Sequence, residues 1–331
     1  MKKLTQLMAI ICAIALLFSL TACGDGTKSP STPNEDDGKL VIGYAQKTTE
    51  DAWRITETED MKAEAAKRGI KLIVTDARSN TEKQIADCED LIAQNVDLLL
   101  MSPVEGDGYQ AVYKAAREAG IPVFLICDKT TGEVGVDFVT MITADCVFEG
   151  ELAGQFVLDT FGDASCKVVE LTGIVGDIGS GQRGEGFLDT VSTKGGIEVI
   201  ASQPADWSRS KAQDVMTNII HATGGEFDVV YCHNSEMALG AVAALKAAGI
   251  PVDGSGKEGV VVIGIDAQKE AVQAVIDGDM GAVVSCNPYM GEIVFDAVEA
   301  YLAGEKIETE LPTADYLIDS SNAVAELEKA F

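Results

Sequence analysis

The tetrapeptide Gly120-Ile121-Pro122-Val123 recurs as Gly249-Ile250-Pro251-Val252, and Gly69-Ile70-Lys71-Leu72 and Gly196-Ile197-Glu198-Val199 share its pattern. Each copy follows a helix-like stretch, so its glycine is expected to end the helix in the left-handed conformation and its apolar residues to begin a strand. Along the chain, Gly69 and Gly120 lie 51 residues apart, and Gly196 and Gly249 lie 53 residues apart. This spacing predicts two similar lobes, each built from alternating strands and helices.

Short apolar runs rich in β-branched residues alternate with helix-like stretches after residue 38. Most of these runs lack apolar–polar alternation, which is typical of parallel strands buried on both faces. The predicted strands are Leu40–Tyr44, Lys71–Thr75, Leu98–Met101, Val123–Cys127, Val168–Leu171, Glu198–Ala201, Val229–Cys232, Val260–Ile265 and Ala282–Ser285. Helices such as Ala111–Glu118 and Glu236–Ala248 are predicted between them. The fold class is therefore predicted to be α/β, with two Rossmann-like lobes and parallel sheets.

Polar side chains follow three of the predicted strands: Asp128, Asn234 and Asp266. In parallel sheets ligands bind outside the carboxyl ends of the strands, so two facing lobes would bring these residues to one cleft. Carboxylates and amides bind hydroxyl groups well. The alternative is that they cap the helices that follow.

The two tryptophans, Trp53 and Trp207, each lie among polar residues. An indole packs against the C–H face of a sugar ring, and it adds a large contact area at a low entropy cost. A tryptophan in the core is the alternative, but the polar neighbours favour partial exposure. Both are therefore candidates for contact with a ligand.

Residues 179–184 match the pattern G-x-G-x-x-G after a predicted strand, which opens the alternative of a nucleotide-using enzyme. The pattern lies mid-chain, seven residues from its strand, and carries Arg183 where a tight pyrophosphate turn favours a small residue. A flexible loop that presents Arg183 to a ligand is the preferred interpretation. No G-x-S-x-G or H-E-x-x-H motif occurs, and His233 is the one candidate base. We therefore expect neither an enzyme nor a cofactor.

The first residues resemble an export signal. Lys2 and Lys3 precede the uncharged run Leu7–Leu20, and Leu20-Thr21-Ala22-Cys23 resembles a lipobox. Residues 1–22 are thus predicted to be a lipoprotein signal peptide, and 23–38 a lipidated Cys23 with a flexible tether. We expect an exported protein anchored on the outer face of the cytoplasmic membrane; an ordinary cleavage site with a chance cysteine is the alternative.

Charge and cysteine spacing exclude several classes of partner. The formal net charge of −28 argues against binding to nucleic acid. Six cysteines remain after the signal and Cys23, and they form no C-x-x-C pair, so no metal site is expected. They are interpreted mainly as small buried hydrophobic residues, and the sequence gives no disulfide pairing.

These residues, in this order, resemble the type I periplasmic binding proteins of the ribose/galactose class over nearly all of Leu40–Phe331. The resemblance is carried by Ala52-Trp53-Arg54 with Glu57-Thr58, Ile121-Pro122-Val123 leading to Asp128, Thr143-Ala144-Asp145 leading to Glu149-Gly150, Arg183-Gly184-Glu185-Gly186-Phe187, Gln203 to Trp207, His233-Asn234-Ser235-Glu236-Met237 and Gly264-Ile265-Asp266. The combination of Trp53, Arg54 and Glu57 is most similar to the galactofuranose-binding branch.

The resemblance implies a monosaccharide held between Trp53 and Trp207. The implied ligand-binding residues are Gln46, Trp53, Arg54, Glu57, Asp128, Lys129, Asp145, Arg183, Trp207, Asn234, Asp266 and Asn287. Lys129 replaces a frequent arginine of the family, and Cys146 a usual asparagine. Asn287 belongs to a segment where the family often has Gln or Glu.

The resemblance also implies two closing lobes joined by a three-strand hinge, with crossings near Thr143–Asp145, Cys286–Pro288 and Leu317–Asp319. The first lobe would comprise 39–144 and 288–316, and the second 145–287 and 317–331. The implied function is that of the substrate-binding lipoprotein of an ABC-type sugar importer, a monomer that delivers galactofuranose or a related hexose or pentose to a permease. The alternative is a module that senses a sugar or autoinducer for a chemoreceptor or histidine kinase.

Overall fold

Two six-stranded sheets organise residues 38–331, the part of the chain that this computed structural model describes. The predicted signal peptide, 1–22, and the predicted lipid-bearing Cys23 lie outside the described residues, as does the tether up to residue 37. Residues 39–331 form one compact unit. The predicted α/β class with two lobes is confirmed.

The bounds of the elements follow the chain. The strands are β1 (Val41–Gln46), β2 (Lys71–Asp76), β3 (Leu98–Met101), β4 (Val123–Ile126), β5 (Thr140–Thr143), β6 (Cys166–Thr172), β7 (Ile197–Pro204), β8 (Val229–Cys232), β9 (Val261–Asp266), β10 (Ala282–Ser285), β11 (Glu310–Pro312) and β12 (Leu317–Asp319). The helices are α1 (Ala52–Lys67), α2 (Thr81–Ala93), α3 (Gln110–Ala119), α4 (Cys146–Phe161), α5 (Ile178–Ser192), α6 (Arg209–Thr223), α7 (Ser235–Ala247), α8 (Lys269–Ile276), α9 (Gly291–Leu302) and α10 (Ala323–Glu326).

The two sheets share one topology. The first has the order β11-β5-β4-β3-β1-β2 and the second β12-β10-β9-β8-β6-β7. In chain order, the first five strands of each sheet, β1–β5 and β6–β10, take the same spatial order, and all of them pair in parallel. Only the last strand differs, since β11 pairs in parallel with β5 whereas β12 is antiparallel to β10. This duplication accounts for the repeat in the sequence.

The four repeated glycines have the predicted left-handed backbone. Their φ angles are +70° at Gly69, +71° at Gly120, +99° at Gly196 and +72° at Gly249. A residue with a side chain would be strained at these angles, so glycine is favoured where the helix turns into the next strand.

The core of each lobe lies on both faces of its sheet. Strands β3, β4, β8 and β10 are buried along their whole length, because helices cover both faces. Strands β5, β11 and β12 have no counterpart among the predicted strands. Each has only three or four residues, and β5 carries a threonine at each end, so pairing within the sheet rather than local pattern defines them.

The chain passes between the sheets three times, after β5, after β10 and between β11 and β12. We call these crossing segments, residues 144–145, 286–290 and 313–316, the hinge. The N–H of Thr313 donates to the carbonyl of Thr143 at 3.0 Å, and the N–H of Ser285 donates to that of Tyr316 at 2.8 Å. Leu317–Asp319, predicted as the third crossing, is strand β12. The exact lobe boundaries stay a prediction.

Candidate functional site

A cavity of about 720 Å³ lies where the carboxyl ends of the two sheets face each other, within the size range of small-molecule sites. Its wall includes residues that follow β1, β4, β7, β8 and β10 within one or two positions, as expected for two facing parallel sheets. Eight of the predicted ligand-binding residues line it: Trp53, Arg54, Asp128, Arg183, Trp207, Asn234, Asp266 and Asn287.

Two predicted residues, Gln46 and Glu57, lie beneath the cavity wall and are fully buried. Nε2 of Gln46 donates to Oε2 of Glu57 at 2.7 Å, and the hydroxyl of Tyr44 donates to Oε1 of Glu57. Burial raises the pKa of Glu57, although nearby Arg54 and the hydroxyl of Tyr44 lower it. Because Nη1 of Arg54 is 3.6 Å from Oε2 of Glu57, this buried network supports Arg54 from below.

The other two predicted residues outside the wall have local roles. Nζ of Lys129 pairs with Oε1 of Glu310 at 3.1 Å on the surface of the first lobe. Asp145 is exposed and caps α4, since its carboxylate accepts the N–H of Phe148 at 3.0 Å. The structure therefore does not place Lys129 and Asp145 with the eight residues of the cavity wall.

Arg54 is held rigidly at the wall of the first lobe. Its Nη2 lies 3.0 Å from Oδ2 of Asp128, and its Nη1 donates to Oγ of Ser102 at 2.8 Å. The guanidinium carbon is 4.8 Å from the centroid of the Trp53 ring, a cation–π distance. Asp128 is thus an ion-pair partner of Arg54, and one edge of this rigid group faces the cavity.

Arg183 plays the matching part in the second lobe. Its Nε donates to Oε2 of Glu149 at 2.7 Å and its Nη1 to the carbonyl of His233 at 2.7 Å. Its Nη2 lies 3.6 Å from Oδ1 of Asp266. Burial raises the pKa of Asp266 to about 7, although Arg183 lowers it. Asp266 also has a left-handed backbone, with φ of +92°, which turns it towards the cavity at some cost in strain.

The predicted flexible loop at 179–184 is wrong, because these residues form the first turns of α5. Asp177 caps this helix by accepting the N–H of Ser180 at 3.0 Å. A methyl group at Gly186 would stand 2.0 Å from the carbonyl oxygen of Val147 in α4, and one at Gly150 2.2 Å from that of Arg183. Glycines here therefore allow close packing of α4 against α5.

The tryptophans lie on opposite lobes and are partly exposed. Nε1 of Trp53 donates to the carbonyl of Cys286 in the hinge at 2.7 Å, and its ring contacts apolar clusters of both sheets. Trp207 has φ of +63°, and the guanidinium carbon of Arg183 is 5.8 Å from its ring centroid. Asn234 caps α7, accepting the N–H of Met237 at 2.8 Å, so the capping alternative holds for this residue while its amide still lines the cavity.

Sequence reasoning missed Lys47 and Asp177, which also line the cavity. Nζ of Lys47 lies 2.8 Å from Oδ2 of Asp177 and 3.5 Å from Oδ2 of Asp128. Lys47 directly follows β1, so the rule that identified Asp128 applies to it equally. Asp177 follows β6 by five residues, and its place gives no comparable signal.

The six described cysteines are free thiols. Three of them, Cys127, Cys146 and Cys286, line the cavity together with Met290, which refines their interpretation as core residues. Sγ of Cys127 is 3.6 Å from Sδ of Met290. Burial raises the pKa of each of the three thiols, so this wall is neutral and weakly polar at neutral pH.

His233, the candidate base, is buried behind the cavity wall. Its Nδ1 is 2.9 Å from Oγ of Ser180 and its Nε2 is 3.0 Å from Oε1 of Glu170. Burial lowers its pKa, although Glu170 raises it. Within residues 38–331 no group of three His, Cys, Asp or Glu side chains could hold a metal ion. Across the same residues no helix is long and apolar enough to cross a membrane.

Comparisons with known proteins show which family this chain resembles. A family model described as the periplasmic binding protein domain matches residues 42–306. The chain is 35% identical to the galactofuranose-binding protein YtfQ of Escherichia coli strain K12, over 88% of this chain and 91% of that protein. It is 33% identical to the ribose import binding protein RbsB of Bacillus subtilis strain 168, over 88% of this chain and 92% of that protein.

A solved structure agrees with these matches. The periplasmic binding protein component of the arabinose ABC transporter from Shewanella sp. ANA-3, bound to α- and β-L-arabinofuranose, has a TM-score of 0.82 to this chain at 34% identity, covering 88% of this chain and 95% of that one. The predicted family is thereby confirmed, and the chain belongs to the periplasmic binding protein domain family.

Proposed function

We propose that this protein is the substrate-binding component of an ABC-type sugar importer and captures a monosaccharide between its two lobes. The named relatives are binding proteins for galactofuranose, ribose and arabinofuranose. The proposal is carried by one observation: a single cavity has a partly exposed tryptophan from each lobe and a rigid arginine beside each tryptophan. The protein is a binding protein and not an enzyme.

The charges at the cavity wall favour a neutral, hydroxyl-rich ligand. Arg54 is already paired with Asp128, and Arg183 with Glu149, so neither guanidinium has an uncompensated charge for an anion. The remaining N–H groups and carboxylate oxygens can donate to and accept from sugar hydroxyls in charge-assisted hydrogen bonds. The indole faces of Trp53 and Trp207 would cover the apolar faces of the ring.

We propose a furanose, namely galactofuranose or a related hexose or pentose. Two of the named relatives bind a furanose. Arg54 stands beside Trp53, so it would reach the exocyclic hydroxyls of a five-membered ring. The proposed contact residues are the eight of the cavity wall, with Gln46 and Glu57 acting through Arg54.

We also propose that Cys23 carries a lipid and holds the folded part, as a monomer, at the outer face of the membrane for docking on a permease. The lipobox-like residues 20–23 support this anchor. Metabolic labelling with a radioactive fatty acid tests it. Label is expected on the wild type and absent from Cys23→Ser, and equal labelling of both would contradict the anchor.

Isothermal titration of the purified residues 39–331 with L-arabinose, D-galactose, D-ribose and methyl galactofuranoside tests the ligand class. We expect saturable binding of at least one of them, with a dissociation constant in about the micromolar range, and no binding of D-gluconate as an anionic control. Lys129→Ala, on the outer surface, is expected to bind like the wild type. Absence of binding to all four sugars would overturn the proposal.

A further inference from the structure

Lys47 connects the two lobes across the mouth of the cavity. It follows β1 of the first sheet, whereas Asp177 precedes α5 of the second lobe. Nζ of Lys47 is 2.8 Å from Oδ2 of Asp177 and 3.5 Å from Oδ2 of Asp128, which belongs to the first lobe. The ammonium group therefore lies between one carboxylate of each lobe.

We propose that the ion pair of Lys47 with Asp177, which we call the cleft latch, stabilises the closed arrangement of the lobes and slows the release of the bound ligand. The inference extends the proposed function, since it concerns the motion of the lobes and not the identity of the sugar. Its central consequence, a salt-dependent closure, needs no ligand.

Both ends of the cleft latch are fixed to their own lobes. Oδ1 of Asp177 accepts the N–H of Ser180, so the carboxylate is oriented by the helix that it caps and only Oδ2 faces Lys47. The N–H of Lys47 donates to Oε1 of the fully buried Gln46 at 2.8 Å. Separation of the lobes would therefore stretch the contact and could not be absorbed by movement of the Asp177 side chain.

The surroundings keep both groups charged. The side chains are only 12% and 8% exposed, so solvent screens the pair less than a surface pair while the lobes are together, whereas salt screens both charges once the lobes separate. Burial would lower the pKa of Lys47, but Asp128 and Asp177 raise it above its usual value, while Arg54 lowers it. Burial would raise the pKa of Asp177, but Lys47 and, more weakly, Arg54 lower it.

The lobes also approach each other beside the cleft latch. A methyl group at Gly106 of the first lobe would stand 2.5 Å from Cδ1 of Ile178, the residue after Asp177. An apolar contact thus adjoins the ion pair and limits the access of water to it. Without Lys47, the carboxylate of Asp177 would lose its ion-pair partner at 2.8 Å, whereas Asp128 would keep its ion pair with Arg54.

Two substitutions isolate the charge of the cleft latch. Lys47→Met removes the ammonium group and keeps the length of the side chain. Asp177→Asn removes the charge and keeps a good helix cap. Lys129→Met is the matched control, since Lys129 also forms an ion pair, at 3.1 Å from Glu310, but within one lobe.

Small-angle X-ray scattering without sugar measures closure directly. We expect the radius of gyration of Lys47→Met and of Asp177→Asn to exceed that of the wild type and of Lys129→Met at about 20 mM NaCl. The wild type should expand towards the same value at about 500 mM NaCl. Equal radii for the wild type and both latch variants at both salt concentrations would overturn the proposal, whether or not any sugar binds.

Stopped-flow release of L-arabinose, or of whichever sugar of the titration binds, gives the second measurement. We expect about tenfold faster release from each latch variant, and no further acceleration in the double variant Lys47→Met/Asp177→Asn, because both substitutions break one contact. Additive accelerations would show that the residues act separately and would overturn the proposal. Circular dichroism verifies that each variant is folded.

Discussion

The indole ring of Trp207 lies directly against the backbone of Gly173, and a methyl group at Gly173 would stand 2.0 Å from Cζ2 of the ring. Gly173 follows β6, so the end of that strand sets the position of the ring. A glycine is required here for space rather than for backbone freedom. The wall of the proposed sugar site in the second lobe therefore depends on a residue that need not contact the ligand.

Gly173→Ala is expected to displace Trp207 and to weaken sugar binding by about tenfold or more, as measured by titration calorimetry. The matched control is Gly181→Ala in α5, where a methyl group meets nothing within 4 Å. The control should keep the affinity and gain about 0.5–1 kcal/mol of stability, because alanine favours a helix. Equal affinities of the two variants would contradict the role of Gly173.

Removal of Trp207 or of Asp266 tests the proposed contacts themselves. Trp207→Ala and Asp266→Ala are each expected to weaken binding by about tenfold or more without unfolding the protein, since each removes one face or one acceptor of the site. Leu302→Ala, which changes an exposed apolar residue at the end of α9 and outside the cavity wall, serves as the control. Unchanged affinity in both site variants would contradict the proposed sugar site.

Glu57→Gln tests whether the buried network beneath Arg54 positions that side chain. The substitution removes the charge that faces Nη1 of Arg54 at 3.6 Å, and we expect both weaker sugar binding and a lower melting temperature. Glu59→Gln, on the same helix, changes an exposed residue paired with Lys62 at the surface and should alter neither. A wild-type affinity for Glu57→Gln would mean that Arg54 keeps its place without this partner.

The pH dependence of stability should reveal Asp315 in the hinge. Burial and the nearby charge of Glu149 together raise its pKa to about 8, although Arg183 lowers it. Oδ1 of Asp315 and Oε1 of Glu149 are both buried without a hydrogen-bond partner, so a negative charge on Asp315 lacks full hydrogen-bond support. The folded protein then holds a proton that the unfolded chain releases near pH 4, so this group's stabilisation is lost as the pH rises from about 4 to 8.

Thermal melting between about pH 5 and 8 measures this effect. The melting temperature of Asp315→Asn should fall less with rising pH than that of the wild type. Asp163→Asn, at a fully exposed aspartate, should follow the wild type. Parallel curves for all three proteins would show that Asp315 does not hold the proton.

The sequence predicted the lobes better than the cavity wall. The glycine repeat identified the duplicated α/β topology, because left-handed helix ends are a local property that glycine alone adopts freely. Asp128, Asn234 and Asp266 were predicted by the rule for strand ends. The role of Glu57 beneath Arg54 could not be predicted, since spacing along a helix gives the face of a residue and not its depth.

The other differences between the predicted and the observed site also arise from contacts that form only in the folded chain. Residues 179–184 were predicted to be a loop because of their glycines, but they begin α5, and this helix packs closely against α4 through Gly150 and Gly186. The partnership of Lys47 with Asp177 spans the two lobes. Contacts of this kind depend on how the lobes meet, which a local pattern does not encode.

The hydrogen bond from Nε1 of Trp53 to the carbonyl of Cys286 joins a fluorescent side chain to the hinge. Indole emission shifts with the polarity and hydrogen bonding around this nitrogen. Since Trp207, the other tryptophan, lies on the opposite lobe, replacing it with phenylalanine would leave a protein with a single tryptophan, next to the hinge. Trp53 would then report the turning of the lobes in real time, without any attached dye.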